Sequence, residues 1–552
     1  MSYKARVMSF SLVRNTAVVL ASRVLRSHIR RSSCLTSCYS IKTSEKCHRY
    51  LSASVTMDKS QEPNLGNAFE DSEIQAYIDD IKNLIVEEAL VKGSDRSTKV
   101  VDFKLPEDLK SLLPLDIRKD PANHKELLDI CKTVIDYSVK TSNPRFFNQL
   151  YSGINIYGLT GAWLSDALNT NMHTFEVAPA FIVIEKYLIE KLCSIIGYKA
   201  GDGIFCPGGS FSNIMGMNLA RYRSCPDFKK TGMYGMKRMK LYTSSEAHYS
   251  MVKSAVFLGL GSDNVVRVET DEIGRMKPEE LEKKIKADIE KGEDPTFVMA
   301  TSGTTVLGAF DQLNEIADVC EKYNIWLHCD ACWGGGALLS EKHKHLMSGI
   351  ERMQSVSWNL HKMSTAPLQC SALLIKDKGS LEECNRYQAE YLFQQDKFYD
   401  MSYDIGDKTV QCGRKVDALK AWLMWKALGD DGMTAAVDKA YDNARYLTEQ
   451  LRKTEGFRLV MPEFQCTNIG FWYIPKSLRG QEETAEWWDK VARVAPKIKE
   501  GMVKQGTMLI GYQPLTVKGF VNFFRIIINN TKCDYSDMDF VVKEIDRLGR
   551  DL

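Results

Sequence analysis

The feature that most restricts the fold of this 552-residue chain is a repeating pattern between about residues 150 and 430. Short, nearly continuous apolar runs alternate there with Gly/Ser-rich turns and amphipathic helical stretches. The runs are KLYTS, VVRVET, TFVMATS, IWLHCD, SVSW and CSALLIK. Strands this apolar have no face to give to water, so helices must cover both sides of their sheet. That is the signature of an α/β fold with a mostly parallel sheet. In an open sheet of this kind, ligands bind outside the carboxyl ends of the strands, so chemistry is expected there.

The chain is longer than one ordinary domain. Before the alternating region, EDSEIQAYIDDIKNLIVEEALVKG has helical periodicity and stops at Gly93, and further helical stretches run to Asn143-Pro144. Beyond Gly429, two long helical stretches flank the strand-like runs IGFWYI and FFRIII, which predicts a small α+β C-terminal domain. The expected division is a leader over 1–65, a helical N-terminal segment over 66–150, a central ligand-binding domain over 151–430 and the C-terminal domain over 431–552.

The first 57 residues carry seven arginines, many serines and a single acidic residue, Glu45. Arg23, Arg26 and Arg30 share one helical face, as in a mitochondrial transit peptide. The alternative is a leader preceding a translation start at Met57. Elsewhere the totals exclude more than they assign. A formal net charge of +2 gives no electrostatic footprint for nucleic acid, and no apolar run is long enough to span a membrane. The 15 cysteines are scattered, with no paired spacing for structural zinc, and no metal site is expected. They read as mostly reduced thiols of an intracellular protein. One CxxC, Cys329-Asp-Ala-Cys332, closes the IWLHCD run.

Four constellations follow the strand-like runs. In GIFCPGGSFSN, Gly208 and Gly209 permit a tight turn, and Ser210, Ser212 and Asn213 offer donors at a helix start, which suits an anion or phosphate. Asp330 ends a buried strand, where a lone carboxylate needs a cationic partner. His248 follows KLYTS in SSEAHYS. Lys362 closes Trp358-Asn-Leu-His-Lys between two apolar runs. A phosphate cradle, a strand-end aspartate, a histidine and a lysine around one crevice define a pyridoxal-phosphate site.

With those residues in view, the chain resembles the group II pyridoxal-phosphate-dependent decarboxylases, in their acidic-amino-acid branch. NPRFFNQL, GDGIFCPGGS, TSGTTVLGAFD, YLFQQDKFYD, FWYIPKSLRG and EIDRLGRDL are similar to the family's motifs, in the family's order. The resemblance implies a fold-type I enzyme that works as a homodimer with its site at the subunit interface. It gives Lys362 the Schiff base to pyridoxal 5'-phosphate, Asp330 the pyridinium nitrogen and His248 the ring face. Gly208, Gly209, Ser210, Asn359 and His361 would hold the phosphate. Tyr391, on a closing loop, would donate the proton that replaces CO2.

For the substrate, Arg525 would take the α-carboxylate, and Gln149, Asn171 and His173 would line the pocket for the distal acid. A bulky Tyr151 favours short acids. The expected reaction is decarboxylation of cysteine sulfinate to hypotaurine or aspartate to β-alanine, ahead of glutamate to GABA. A cytoplasmic location follows from the resemblance, against the import reading of the leader. Two departures stand out. Cys332 occupies a position usually held by alanine at the ring face, and Leu360 replaces the usual proline before His361. They leave open a cofactor-binding dimer that is inactive or retuned, including one that couples decarboxylation to oxidative deamination.

Overall fold

The computed structural model describes residues 72–387, 389–394 and 396–552. The chain divides into two compact units, Met1–Ala76 and Tyr77–Leu552. Of the first, only the opening of helix Ser72–Leu84 is described. The leader, its Arg-rich face and Met57 lie outside the described residues.

The described residues form twelve strands, in chain order: β1 (Phe146–Phe147), β2 (Asp202–Cys206), β3 (Met239–Ser244), β4 (Val265–Val268), β5 (Asp294–Thr301), β6 (Trp326–Asp330), β7 (Ser355–Asn359), β8 (Ser371–Ile375), β9 (Phe457–Leu459), β10 (Asn468–Tyr473), β11 (Leu509–Leu515) and β12 (Phe520–Ile527). Seven of them form one sheet in the order β2-β8-β7-β6-β5-β3-β4. Strands β4, β3, β5, β6 and β7 pair in parallel, and β8 runs antiparallel to both of its neighbours. The six apolar runs all became strands, and the sheet is mostly parallel as expected.

Two-sided burial explains why these strands lack polar alternation. Along β5, Phe297 and Met299 pack into one apolar cluster with helix Gly209–Ser224, while Val298 and Ala300 pack into another on the opposite face. Ile204 and Phe205 of β2 divide in the same way, as do Leu373 and Leu374 of β8. Each of these side chains other than Ala300 contributes about 1.5–3 kcal/mol on full burial. The second face is covered by helices Pro179–Ile196, Pro278–Glu290 and Leu313–Lys322.

The remaining five strands form a second sheet, β1-β11-β12-β10-β9. It is antiparallel except that β1, from the N-terminal segment, pairs in parallel with β11. Helices Ala485–Gln505 and Tyr535–Gly549 cover it, with Phe471, Phe524, Ile498, Met502 and Ile545 in one core. Helix Asp417–Lys453 breaks at Gly429, whose positive φ of 67° turns the chain between the regions of the two sheets.

No helix among the described residues is long and apolar enough to cross a membrane. Among them, too, no group of three or more His, Cys, Asp or Glu is placed to hold a metal. Their cysteines are free thiols, Cys329 and Cys332 included.

Candidate active site

The carboxyl ends of β5, β6 and β7 and the start of helix Gly209–Ser224 enclose a cavity of about 220 Å³. Gly209, Ser210, His248, Asp330, Cys332, Asn359 and Lys362 all line it, joined by Asn213, Tyr249, Thr301, Gly303, Thr305 and Trp333. Residues spread over 154 positions of sequence therefore meet because successive parallel strands end on the same edge.

Asp330 is buried and held from two sides. Asn213 Nδ2 donates to its Oδ2 at 2.9 Å, and the Cys332 N–H donates to its Oδ1 at 3.1 Å. Burial alone raises a carboxyl pKa. Here the nearby charge of Lys362, the Cys332 bond, His248 and Asn213 outweigh burial and leave Asp330 below the usual carboxylate value. Asn213 is fixed in turn by His328, whose Nε2 lies 3.0 Å from Asn213 Oδ1 and whose Nδ1 lies 2.7 Å from Ser355 Oγ. Complete burial pushes His328 down to about 4, so the ring is neutral. The helix reaches this histidine because Gly216 has no Cβ; one there would sit 2.7 Å from His328 Nδ1.

The glycine turn has specific steric reasons. Gly208 adopts a φ of 102°, which side chains rarely tolerate. A Cβ on Gly209 would collide with Cys332 Sγ and lie 2.9 Å from Asn359 Nδ2. Asn359 is oriented by Ser371, whose hydroxyl donates to its Oδ1 at 2.6 Å and is bonded to Ser212 at 2.9 Å. Thr301 Oγ1 is buried at the cavity wall without a hydrogen-bond partner among the described residues. An anion cradle, an ionised aspartate, an orphaned hydroxyl and a lysine whose amine hydrogen-bonds to none of the described residues form a donor set that fits pyridoxal phosphate.

His248 lines the same cavity and accepts from the Ser250 N–H at 3.2 Å. Burial holds its pKa below the usual value, opposed by Asp330 and aided by Lys362. Leu360 is wholly buried in the main core, and its carbonyl accepts from Ala366 at 2.9 Å. A leucine at this position thus fills the core and does not face the site. His361 does not line the cavity but lies behind it, its Nε2 3.4 Å from Asn359 Nδ2. Its Nδ1 accepts from the Cys370 N–H at 3.0 Å, and its side lines a separate cavity with Tyr151 and the N-terminal helices. Burial pushes His361 down to about 4.

Five other expected residues lie outside the cavity. Tyr391 is 76% exposed, and Gln149 is exposed too. Asn171 bonds the backbone of Cys412 and Arg414. His173 is buried against Phe393, ring centroids 5.4 Å apart, with Nε2 unpaired. Arg525 comes nearest to the cavity: Nη1 donates to the carbonyl of Thr305 at 3.0 Å, and Nη2 to that of Asn148 at 3.2 Å. His328 was not foreseen. A histidine inside an apolar run reads as core, and only its offset of two from Asp330, which puts both on one strand face, hinted at more.

The seven-stranded sheet, with an aspartate and a lysine facing one strand-end cavity, defines a pyridoxal-phosphate enzyme of mixed α/β fold. The conserved domain of pyridoxal-dependent decarboxylases matches residues 106–474, and the chain belongs to that family. It is 51% identical to human cysteine sulfinic acid decarboxylase over 87% of this chain and 97% of the relative. It is 52% identical to the bovine acidic amino acid decarboxylase GADL1 over 87% and 91%. The crystal structure of mouse CSAD superposes with a TM-score of 0.85 at 49% identity, covering 87% of this chain and 99% of that one.

Proposed function

We propose that this amino-acid decarboxylase acts on short acidic amino acids, with cysteine sulfinate and aspartate preferred and glutamate second. The products would be hypotaurine, β-alanine and GABA. The observation that carries the reading is the meeting of Lys362, Asp330 and His248 on one cavity, with the Arg525 guanidinium bonded to Thr305 at its wall. The relatives' names supply the substrate class.

Bound pyridoxal phosphate supplies an electron sink for the charge left as CO2 departs. Lys362 would give the amine that anchors it, and the turn at Gly208, Gly209 and Ser210 with Asn359 would receive its phosphate. Asp330, ionised and fixed by Asn213, would hold the ring of the cofactor by its nitrogen and favour the protonated form there. His248 presents a neutral imidazole to the cavity. Arg525 clamps a substrate carboxylate with a planar fork that lysine cannot match. Tyr391 delivers a proton once its loop covers the site and excludes water.

The pocket residues outside the cavity belong to the same proposal. In a homodimer, Asn171, His173 and Tyr391 of one protomer complete the site of the other. In support, helix Ile156–Leu168 exposes Ile156, Tyr157, Trp163, Leu164 and Leu168, an apolar face suited to a second copy. The boundaries near 150 and 430 and a cytoplasmic location, with mitochondrial import as the alternative, complete the reading. A panel of amino acids assayed for amine product with added cofactor tests it. Hypotaurine and β-alanine are expected; aldehyde in place of amine, or no product from any acid, would overturn it.

A further inference from the structure

Helix Ala485–Gln505 carries several lysines, and one differs from its neighbours. Lys497 and Lys504 are exposed and both pair with Glu500, at 3.4 and 2.6 Å. Lys499 points inward and meets no carboxylate among the described residues. Its ammonium donates to the side-chain oxygen of Asn148 and to the carbonyl of Ile510. The same Asn148 accepts from Arg525 through its backbone carbonyl. Arg525 also lacks an acidic partner among the described residues, and its buried Nε has no hydrogen bond.

Two largely buried cations thus share one asparagine with no protein anion between them. Burial lowers the pKa of both, and for Lys499 the charge of Arg525 adds to the fall, bringing it to about 8. Like charges in a poorly hydrated place repel, so the arrangement is unfavourable until an anion arrives. The Arg525 fork reaches the cavity wall at Thr305, where that anion can enter.

We infer that Lys499 is a positioning residue of the substrate site. Through Asn148 it holds Arg525 in place, and it adds a second positive charge beside the guanidinium that takes the substrate carboxylate. The inference rests on the acidic-substrate reading and names a second source of the site's hold on a carboxylate.

The test uses the full-length, cofactor-loaded enzyme with Lys499→Met and Lys499→Arg. Steady-state kinetics are measured with aspartate and cysteine sulfinate, together with competitive inhibition by succinate, which has no amine to react. In Lys499→Met, KM and the succinate inhibition constant are expected to rise about tenfold or more, with kcat falling less than KM rises. Lys499→Arg restores both to within about threefold. Unchanged KM with lowered thermal stability, or a loss that arginine fails to rescue, overturns the inference.

Should the methionine variant not fold, the wild-type and arginine enzymes still decide. The charged group facing Lys499 from the second sheet is Arg525, which stays protonated, and Asn148 and the Ile510 carbonyl are uncharged. Succinate inhibition in the wild type must therefore weaken as pH rises through about 8, while Lys499→Arg stays flat. Equal profiles overturn the inference. A wild-type enzyme that makes no amine from any acidic amino acid overturns the substrate reading instead, a separate result.

Discussion

The strand-end wall and the loop around Tyr391 are built on opposite terms. At the wall, Asp330, Asn213, His328 and Ser355 are all buried and bonded to one another. On the loop, Tyr387, Tyr391 and Phe398 are 90%, 76% and 99% exposed, large aromatic rings with little of this chain against them. The loop's anchor is nonetheless firm: Lys397 and Asp404 form a buried ion pair at 2.7 Å, and Phe175 packs on Tyr399. The difference teaches that the wall is fixed by bonds between its own buried side chains, while the loop is held at its base and presents its rings outward.

The comparison is broken most sharply at the wall. Lys362→Ala is expected to take amine formation below detection and to abolish the visible absorbance of the bound cofactor. Persistence of that band would remove Lys362 from its role. On the loop, Tyr391→Phe should lower kcat by about 10²–10⁴, the usual size of a lost proton donor, and leave cofactor absorbance intact. If cofactor binding fell with it, the two regions would not be separable.

Gly209→Val presses a side chain onto Cys332 and Asn359. A strain of about 1–3 kcal/mol should weaken cofactor retention roughly tenfold to a hundredfold, read by dialysis and absorbance. His328 and His361 sharpen the wall further through pH. Both have folded-state values near 4, below the ordinary value of 6.5 from which burial has lowered them. The unfolded chain therefore binds their protons first, and their contribution to stability is complete above 6.5 and lost as pH falls toward 4. Thermal melts should show this loss, with a slope of up to about 1.4 kcal/mol per pH unit for each ring, and His328→Gln should flatten it. The smallest effect is expected for Leu360→Pro. Stiffening near 0.4–1 kcal/mol opposes the loss of buried methyl groups, so folding stability should change by less than about 1 kcal/mol.

Much of the wall was legible because strand ends announce themselves: an apolar run stops and a polar residue follows, as at Asp330 and Asn359. The direction of β8 was not legible, since SALLI is equally apolar whichever way it runs. β11 escaped notice because Tyr512, Gln513 and Pro514 interrupt it, and β9 has only three residues. His328 and Lys499 were hidden for a common reason. Each looks ordinary in its own element and gains meaning only from Asn213 or Asn148, distant in sequence. The placing of Asn171 and His173 away from the cavity is likewise a matter of packing that local pattern does not encode.

The pairing of Phe146 and Phe147 with Leu509 and Ile510 has a consequence during synthesis. A ribosome adding about 5–20 residues per second needs roughly 20–70 s to make the intervening chain. For that interval the two phenylalanines, fully enclosed in the finished protein, have no strand beside them, and Asn148 has neither Lys499 nor Arg525 to bond. The N-terminal segment is the first of these regions to emerge and among the last to settle, so chains stalled before residue 509 leave both rings without the strand that covers them.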